Sequence, residues 1–369
     1  MAPSSKREAS SPGASDSFVD PAVQADQPWD RLAAHLREHG HAFSLAPSPR
    51  QFAGGFGNLN YLIVLDGKPA VLRRPPAGPL PPGGNDMTRE HRVLSRLGRA
   101  FPLVPRTLHF SADESVLGAP FFIMEYRPGL VVRAELPPSL AGQGEALSHM
   151  LVDILAMLHR IDPAAVDLAD LGRPDGFLER AVAGWSKRCG VAAADVYDDG
   201  RPPAPAREVV AWLEAQRVPK GDVALLHNDF KLENVILDPA ALPPRPIAVL
   251  DWDQCTRGDP LFDLATLLSY WTEPGDPPAM HLLRQMPTAT PGFLSRQAVV
   301  ELYARATGRD IADFRFHRVL AMMKLGVIFL QLYARFKRGT TQDPRYRELG
   351  RIGDGIFEFA LEVARGRAF

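Results

Sequence analysis

The chain has 369 residues, of which 46% are apolar and 23% charged, with 42 basic and 43 acidic side chains. At about 150 residues per domain this length predicts two domains or lobes, and the composition excludes a wholly disordered chain. The formal net charge of -1 disfavours a protein that binds nucleic acid or an anionic membrane. No apolar run approaches the roughly 18 residues of a membrane span. The two cysteines are too few for a disulfide framework, and no secretory leader is recognisable, so the sequence predicts a soluble, cytoplasmic protein.

The first part of the chain predicts a tail followed by a small mixed lobe. Residues 1–27 are rich in Ser, Pro, Ala and Asp without apolar periodicity, which predicts a disordered tail. Downstream patterns predict, in order, a helix over 29–39, strands over 60–65 and 70–74 joined by Asp66-Gly67, a helix ending near Leu97, and a strand over 121–126. We therefore place a small N-terminal lobe at 28–126.

The rest of the chain is mainly helical. The patterns predict helices over 139–160, 177–188 and 207–217, short strands over 223–226, 235–237 and 247–250, a helix starting at Asp259-Pro260, and helices over 295–307, 311–338 and 344–365. These elements predict an α+β protein of two lobes, with a larger helical lobe at 127–369.

The most informative segment is a short loop between two predicted strands, His-Asn-Asp-Phe-Lys-Leu-Glu-Asn at 227–234. In phosphoryl transfer a carboxylate accepts the proton of the attacking hydroxyl, a lysine can touch the transferring phosphate, and an amide oxygen can ligate magnesium. The spacing of Asp229, Lys231 and Asn234 suits these three tasks. Taken alone, the segment is also compatible with a surface loop of ordinary polar residues.

A second segment strengthens this interpretation. The apolar strand predicted at 247–250 delivers Asp251 at its end, 17 residues after Asn234. Hard cations such as Mg²⁺ take carboxylate and amide oxygens together with phosphate oxygens, so Asp251 is in position to complete such a site. Asp253 is ambiguous, and a role in supporting the ligands is our first interpretation.

Three motifs in this region carry a resemblance to a known family. They are His-x-Asp-x-x-x-x-Asn at 227–234, Asp-Trp-Asp at 251–253 and Gly-Asp-Pro-Leu-Phe-Asp-Leu-Ala at 258–265. In this order they resemble the aminoglycoside phosphotransferase/choline kinase family, and the resemblance covers nearly the whole chain. It implies a protein-kinase-like fold with a nucleotide-binding small lobe.

The resemblance also implies roles for individual residues. Asp229 would be the catalytic base with Lys231 beside it, and Asn234 and Asp251 would ligate Mg²⁺. In supporting roles, His227 would hold the loop, Asp263 would brace it from the following helix, and Asp259 would cap that helix.

The small lobe would bind ATP or GTP. Gly-Gly-Phe-Gly-Asn at 54–58 lies between candidate strands, where glycines let backbone N–H groups approach phosphates. The residues expected to contact the nucleotide here are Gly55, Phe56, Gly57 and Asn58. A glycine-rich hairpin with a purely structural role is the alternative.

Four further positions complete the expected nucleotide site. Arg73 stands where kinases carry a lysine that pairs with phosphates, and Glu90 is its candidate helix partner. Arginine keeps the charge and adds bidentate geometry, although a surface Arg-Arg pair is the alternative. Glu125 and Tyr126 lie at the expected junction of the lobes, where their backbone would meet the adenine.

Other segments indicate a sub-branch of the family. Residues 72–78, 89–94 and 118–126 resemble bacterial phosphotransferases related to the kinase-like domain fused to some acyl-CoA dehydrogenases. That context implies a hydroxylated acyl thioester as acceptor. The acidic stretch at 195–199 leaves an aminoglycoside-like acceptor open, although a solvated loop explains it as well.

We therefore expect a Mg²⁺-dependent phosphotransferase that moves the γ-phosphate of ATP or GTP to a small-molecule hydroxyl. The alternative is a nucleotide-binding pseudokinase with a regulatory or scaffold role, which Arg73 suggests. Activity on protein is disfavoured because Gly258 follows Asp251 by only seven positions, too few for an activation loop. The oligomeric state is not indicated by the sequence.

Overall fold

The structure is a computed structural model that describes residues 17–53, 57–76, 78, 84–341 and 344–369. The helices in these ranges are α1 (Trp29–Glu38), α2 (Met87–Leu97), α3 (Glu114–Leu117), α4 (Gly144–His159), α5 (Phe177–Val196), α6 (Ala204–Ala215), α7 (Pro260–Ser269), α8 (Pro278–Leu283), α9 (Arg296–Thr307), α10 (Phe314–Lys337) and α11 (Leu349–Ala364). The strands are β1 (Phe43–Ser44), β2 (Arg50–Gln51), β3 (Leu59–Leu65), β4 (Lys68–Arg74), β5 (Thr107–Ser111), β6 (Phe121–Glu125), β7 (Leu130–Val131), β8 (Ala224–Leu226), β9 (Val235–Leu237), β10 (Pro246–Val249) and β11 (Thr256–Gly258).

The chain divides into two compact units. Unit 1 runs to Val131 and includes Val235–Ala240 and Pro246–Gln254, while unit 2 comprises Val132–Asn234, Ala241–Arg245 and Cys255–Phe369. The predicted single boundary after residue 126 therefore misses the return of the chain into unit 1. The physical reason is strand pairing, because β9 pairs with both β7 and β10 in a three-stranded antiparallel sheet.

Unit 1 is built on an antiparallel sheet of order β1-β3-β4-β6-β5, with β2 paired to β3. The predicted hairpin is present as β3 and β4, and the turn residues Asp66 and Gly67 have φ of 51° and 73°. Such a turn needs positive φ at both central residues, which Asp tolerates and Gly adopts freely. Residues of α1, α3, β3, β4 and β6 form one buried cluster that includes Leu32, Leu36, Tyr61, Ile63 and Phe121.

Residues 17–27 correct the predicted tail, since they make specific contacts with unit 1. The Phe18 and Phe52 rings stack with centroids 4.9 Å apart, and the Val19 N–H donates to the Gln51 carbonyl at 2.9 Å. The buried Gln27 side chain donates to the Tyr61 hydroxyl at 2.8 Å. The tail prediction is therefore wrong for 17–27, because a few aromatic and amide contacts hold a segment without apolar periodicity. Residues 1–16 lie outside the described residues.

Unit 2 is mainly helical, and α10 packs against α5, α6, α7 and α11. Among the described residues α10 is the one helix long and apolar enough to span a membrane, with a mean hydropathy of 1.5 over its most apolar window. That corrects the expectation that no segment has this length and character. Because 67% of the window is buried inside the structure, a core helix of unit 2 accounts for the same composition.

The predicted start of α7 is confirmed in detail. Asp259 is its N-cap and accepts the Leu261 N–H at 2.9 Å, while Pro260 occupies the first helical position. Both choices suit a helix start, where a free N–H needs an acceptor and a missing N–H costs nothing. Asp259 also contacts His317 Nε2 at 3.0 Å, which ties the start of α7 to α10.

A histidine cluster in unit 1 generates a pH prediction. Burial, followed by the nearby His35, His41, His39 and His91, lowers the pKa of His109 to about 4. An unfolded histidine titrates near 6.5, so on acidification the unfolded chain gains a proton that folded His109 does not bind. The stability contributed by neutral His109 is therefore fully present above pH 6.5, and it is lost progressively as the pH falls from 6.5 towards 4.

When the pH is lowered from about 7 to about 5, we expect the melting temperature of His109→Phe to fall by less than that of the wild type. The reason is that the unfolded variant has no histidine at position 109 to take up a proton. Circular dichroism melts of both proteins at the two pH values measure the difference. An equal loss in both proteins would contradict the assignment.

Candidate active site

The proposed catalytic loop, residues 227–234, follows β8 and ends in a short 3₁₀ turn at Leu232–Asn234. Strand β8 pairs antiparallel with β11, with Leu226 opposite Thr256, and α7 begins just after β11. Because the strands are antiparallel, the loop leaves the ladder at the Thr256 end, whereas α7 begins beyond the opposite end, at Gly258. Helix α7 reaches back to the loop through Asp263.

The carboxylate of Asp263 on α7 braces this loop, as the resemblance implied. It accepts the backbone N–H groups of His227 and Asn228, each at 2.7 Å, and contacts His159 Nε2 at 3.2 Å. His159 Nδ1 in turn lies 2.7 Å from the Tyr303 hydroxyl. Although full burial alone would raise the pKa of Asp263, His159 and the loop N–H groups lower it below its usual value. Asp263 is thus held as a buried carboxylate with every contact directed at the loop or its support.

Three residues of the predicted site meet around Asp229. Lys231 Nζ lies 3.4 Å from Asp229 Oδ2, and Asn234 Nδ2 donates to the Asp229 carbonyl at 2.9 Å. The Asp229 N–H donates to His227 Nδ1 at 3.3 Å, which is the loop-holding contact expected of that imidazole. Because the Asn234 amide nitrogen is directed at the loop backbone, its oxygen is left as an acceptor.

Two residues at this site were missed by the sequence analysis. The Tyr270 hydroxyl donates to Asp229 Oδ1 at 2.8 Å. Lys324 of α10 donates to Asn228 Oδ1 at 2.9 Å and to the Asn228 carbonyl. Asn228 has a φ of 65°, so the lysine stabilises a left-handed residue next to Asp229.

Only one of the two carried a usable sequence signal. Tyr270 follows Asp263 by seven positions, two helical turns, so both lie on one face of α7. Lys324 is embedded in the apolar stripe of α10, where nothing in the sequence separates it from the core residues around it.

Unit 1 carries the other group of predicted residues, which centre on Arg73 of β4. Arg73 Nε donates to Glu90 Oε2 at 2.9 Å, as predicted, and Nη2 donates to Asp251 Oδ1 at 2.6 Å. Its Nη1 donates to Asn60 Oδ1 at 3.3 Å. Burial alone would lower the pKa of Arg73, but Glu90 and Asp251 raise it above its usual value. The Arg73 guanidinium is therefore directed at two carboxylates and an amide of its own unit.

Asp251 has an unusual backbone. Its φ of 68° lies in the left-handed region, which non-glycine residues adopt at a cost and often at functional sites. The following 3₁₀ turn is anchored by buried Trp252, whose indole N–H donates to the Val249 carbonyl at 2.8 Å. The Asp251 side chain remains 38% exposed, so its carboxylate is accessible while its backbone is fixed.

The structure describes some of the other residues predicted to contact the nucleotide. Gly55 and Phe56 lie outside the described residues, whereas Gly57 and Asn58 directly precede β3. Asn58 Oδ1 accepts from Asn85 Nδ2 at 2.7 Å. The backbone N–H of Glu125, a residue expected near adenine, donates to the Arg106 carbonyl at 2.9 Å.

Tyr126 is the other residue expected at the junction of the lobes. The Tyr126 ring lies 6.4 Å from that of Phe52, centroid to centroid. Next to it, the Arg127 guanidinium pairs with the Glu125 carboxylate and donates to the carbonyls of Val104 and Ile247. The side chain of Glu125 is therefore used to fix the end of β6.

The donors expected to hold magnesium suit that ion. Asn234 and Asp251 offer oxygen ligands, which hard cations prefer. Among the described residues no group of three or more His, Cys, Asp or Glu side chains is arranged to hold a metal ion. Mg²⁺ keeps several waters and takes substrate phosphates as ligands, so it usually needs only one or two protein carboxylates.

These features define the class of protein to which the chain belongs. A β-sheet unit with an Arg-Glu pair and a helical unit with a braced Asp-x-x-x-x-Asn loop are the parts of a kinase-like phosphotransferase. The sequence pattern of the phosphotransferase enzyme family (APH) matches residues 48–297, more than half of the chain. The chain belongs to this family.

Individual relatives agree with this assignment. A candidate aminoglycoside phosphotransferase of Ralstonia eutropha is 26% identical, with a TM-score of 0.75 over 92% of this chain and 99% of that one. The aminoglycoside phosphotransferase APH(4)-Ia, solved with AMP-PNP and hygromycin B, is 16% identical, with a TM-score of 0.57 over 89% of this chain and 96% of that one. Mouse acyl-CoA dehydrogenase family member 10 is 28% identical over 93% of this chain, which spans 32% of that relative.

The comparisons confirm three predictions: the family, the α+β protein-kinase-like fold, and a small-molecule phosphotransferase as the enzyme class. They also confirm the likeness to proteins of the acyl-CoA dehydrogenase family, which carry a kinase-like domain.

The Arg73 cluster generates a stability prediction. We expect Arg73→Met to lower the free energy of unfolding by about 3–5 kcal/mol, because it leaves buried Glu90 without a cation. Adding Glu90→Gln should recover part of the loss, since no unpaired charge then remains. Urea unfolding of the full chain measures both effects, with Arg37→Met, at an exposed arginine of α1, as the control. A loss no larger than in the control would contradict this role of Arg73.

Proposed function

We propose that this phosphotransferase moves the γ-phosphate of ATP or GTP to the hydroxyl of a small molecule, with Asp229 as the base. The single observation that supports it most is the Asp229 carboxylate, held by Tyr270 on one oxygen and next to Lys231 on the other. A base must be positioned before the acceptor arrives, and this loop is fixed by side chains from α7 and α10.

In the proposed reaction the acceptor hydroxyl gives its proton to Asp229. The oxygen of the acceptor then forms a bond to the γ-phosphorus as the bond from phosphorus to the bridging oxygen breaks. The nucleoside diphosphate leaves with the electron pair of that broken bond. Lys231 neutralises charge on the transferring phosphoryl group. Most of the rate enhancement comes from positioning and electrostatics, which phosphoryl transfer requires more than covalent chemistry.

Mg²⁺ is proposed as the companion ion, with Asn234 and Asp251 as its protein ligands. The ion would supply charge neutralisation for the phosphate oxygens. Asn234 would offer its amide oxygen, since its nitrogen is used by the Asp229 carbonyl. Asp251 would offer a partly exposed carboxylate on a fixed backbone.

For the nucleotide, we propose contacts from Gly55, Phe56, Gly57, Asn58 and from the backbone near Glu125 and Tyr126. Arg73 and Glu90 support this site. The geometry favours a positioning role for Arg73, because two of its nitrogens are directed at carboxylates. The AMP-PNP in the APH(4)-Ia structure supports nucleotide binding by this fold.

For the acceptor, we favour a hydroxylated acyl thioester over an aminoglycoside-like compound. The support is the match to acyl-CoA dehydrogenase family members, although this chain spans only 32% to 43% of the length of those relatives. The hygromycin B complex comes from a protein 16% identical, which supports the fold alone. An anionic thioester would need basic contacts, for which Arg133 and Arg188 of unit 2 are candidates; Arg133 pairs with Glu233 at 3.1 Å and the Arg188 guanidinium lies over the Trp185 ring.

Nucleotide-dependent thermal stabilisation tests the metal and nucleotide proposal. At 100 times its Kd, a ligand that binds only the folded state adds about 2.7 kcal/mol. We expect ATP or GTP with Mg²⁺ to raise the melting temperature of the wild type and of Asp30→Asn, an exposed control. Asp251→Ala should lose the Mg²⁺-dependent part. No shift with either nucleotide, or an undiminished shift in Asp251→Ala, would contradict the proposal.

Turnover with matched acceptors tests the chemistry. We expect phosphate transfer to a hydroxyacyl-CoA and none to the same acyl-CoA without the hydroxyl, with a panel of aminoglycosides as the competing arm. Asp229→Asn should lower kcat by at least about 100-fold, the lower range for a positioned base. Product formation, followed by mass spectrometry, measures the transfer. Equal turnover by Asp229→Asn would overturn the role of Asp229.

A further inference from the structure

Tyr270 contacts both charged groups of the catalytic loop. It directly follows the last residue of α7, it is 6% exposed, and its hydroxyl donates to Asp229 Oδ1 at 2.8 Å. Lys231 Nζ lies over the Tyr270 ring, 4.8 Å from the centroid. A single side chain therefore fixes the direction of the carboxylate and supports the ammonium beside it.

The hydroxyl of Tyr270 is a permanent donor. Burial, followed by the charge of Asp229, raises the pKa of Tyr270 well above its usual value, so the phenol keeps its proton throughout the neutral range. A carboxylate oxygen that accepts a short hydrogen bond from such a donor has its charge partly satisfied. The other oxygen, Oδ2, accepts the longer contact of 3.4 Å from Lys231 Nζ and is the less tightly hydrogen-bonded of the two.

The two oxygens of Asp229 consequently differ. Tyr270 occupies Oδ1, whereas Oδ2 lies 3.4 Å from Lys231 Nζ. We infer that Tyr270 is a positioning residue that holds the Asp229 rotamer and makes Oδ2 the oxygen that receives the acceptor proton. This inference rests on the proposed function, in which that proton leaves the hydroxyl as its oxygen bonds to the γ-phosphorus.

Helix α7 makes this arrangement rigid. Asp263 and Tyr270 lie seven positions apart on one face of the helix. Asp263 holds the backbone of the loop through the His227 and Asn228 N–H groups, and Tyr270 holds the side chain of the next residue, Asp229. The same helix therefore sets both the position of the loop and the orientation of its base.

The test is Tyr270→Phe, which removes only the hydroxyl. With ATP, Mg²⁺ and either the accepted thioester or water as phosphate acceptor, we expect kcat to fall by about tenfold or more, as the loss of a hydrogen bond to a charged group predicts. The KM for the nucleotide should change by less than about twofold, because Tyr270→Phe keeps the ring under Lys231 and removes only the hydroxyl contact to Asp229.

A matched control exists in the same unit. The Tyr197 hydroxyl donates to the Asp354 carboxylate, so Tyr197→Phe removes the same type of contact away from the catalytic loop. Its kcat should equal that of the wild type. If Tyr197→Phe and Tyr270→Phe lower kcat equally, the effect is structural and the inference is overturned.

A double-mutant cycle separates positioning from packing. In an Asp229→Asn background, Tyr270→Phe should change kcat by less than about twofold, because the hydroxyl acts through the carboxylate. If Tyr270→Phe is too unstable for an activity assay, the same double-mutant cycle is measured through the melting temperatures of the four proteins. The loss caused by Tyr270→Phe should be smaller when residue 229 is Asn, since no buried charge is then left unpaired.

Two failures are distinguishable. An active wild type with an equally active Tyr270→Phe overturns the role of Tyr270 and leaves the proposed function intact. A wild type without turnover on any acceptor, water included, overturns the proposed function and this inference with it. Equal losses in both backgrounds of the cycle also overturn the inference.

Discussion

The buried carboxylate of Asp263 is the contact on which the catalytic loop depends. Two backbone N–H groups and one imidazole converge on it, and it is fully buried. Losing it would leave those donors without an acceptor inside the protein, which costs more than the hydrogen bonds themselves contribute. Because Asp263 belongs to α7, the capping of that helix by Asp259 and Pro260 becomes part of the site geometry. The start of α7, the Asp263 carboxylate and the loop that carries Asp229 are therefore structurally linked.

Lys324 shows how the core of unit 2 contributes to the geometry of the loop at 227–234. Helix α10 is apolar enough to resemble a membrane span, yet it places one buried ammonium against Asn228. A buried charge is tolerated only where acceptors satisfy it, and here these are the side-chain and main-chain oxygens of a left-handed residue. The cost of burying Lys324 is thus offset by fixing the conformation next to Asp229.

Much of the fold was predictable from sequence because its signals are local. The Asp66-Gly67 turn, the Asp86 cap of α2 and the Asp259-Pro260 start of α7 each follow from the chemistry of a few adjacent residues. The loop motif was predictable for the same reason. Contacts between distant segments were not, since two-residue strands such as β7 and single side chains such as Lys324 carry no periodic signal. The return of β9 and β10 into unit 1 is such a case.

Arg73 illustrates why a departure from a family pattern has to be read from geometry. A lysine presents one compact charge, whereas the guanidinium presents a rigid fork of donors. Here the fork reaches Glu90 at 2.9 Å through Nε and Asp251 at 2.6 Å through Nη2. One cation therefore neutralises the buried helix carboxylate and also orients the proposed metal ligand. Because the substitution preserves charge at this position and gains a second anchored carboxylate, Arg73 gives no support to a degenerate site.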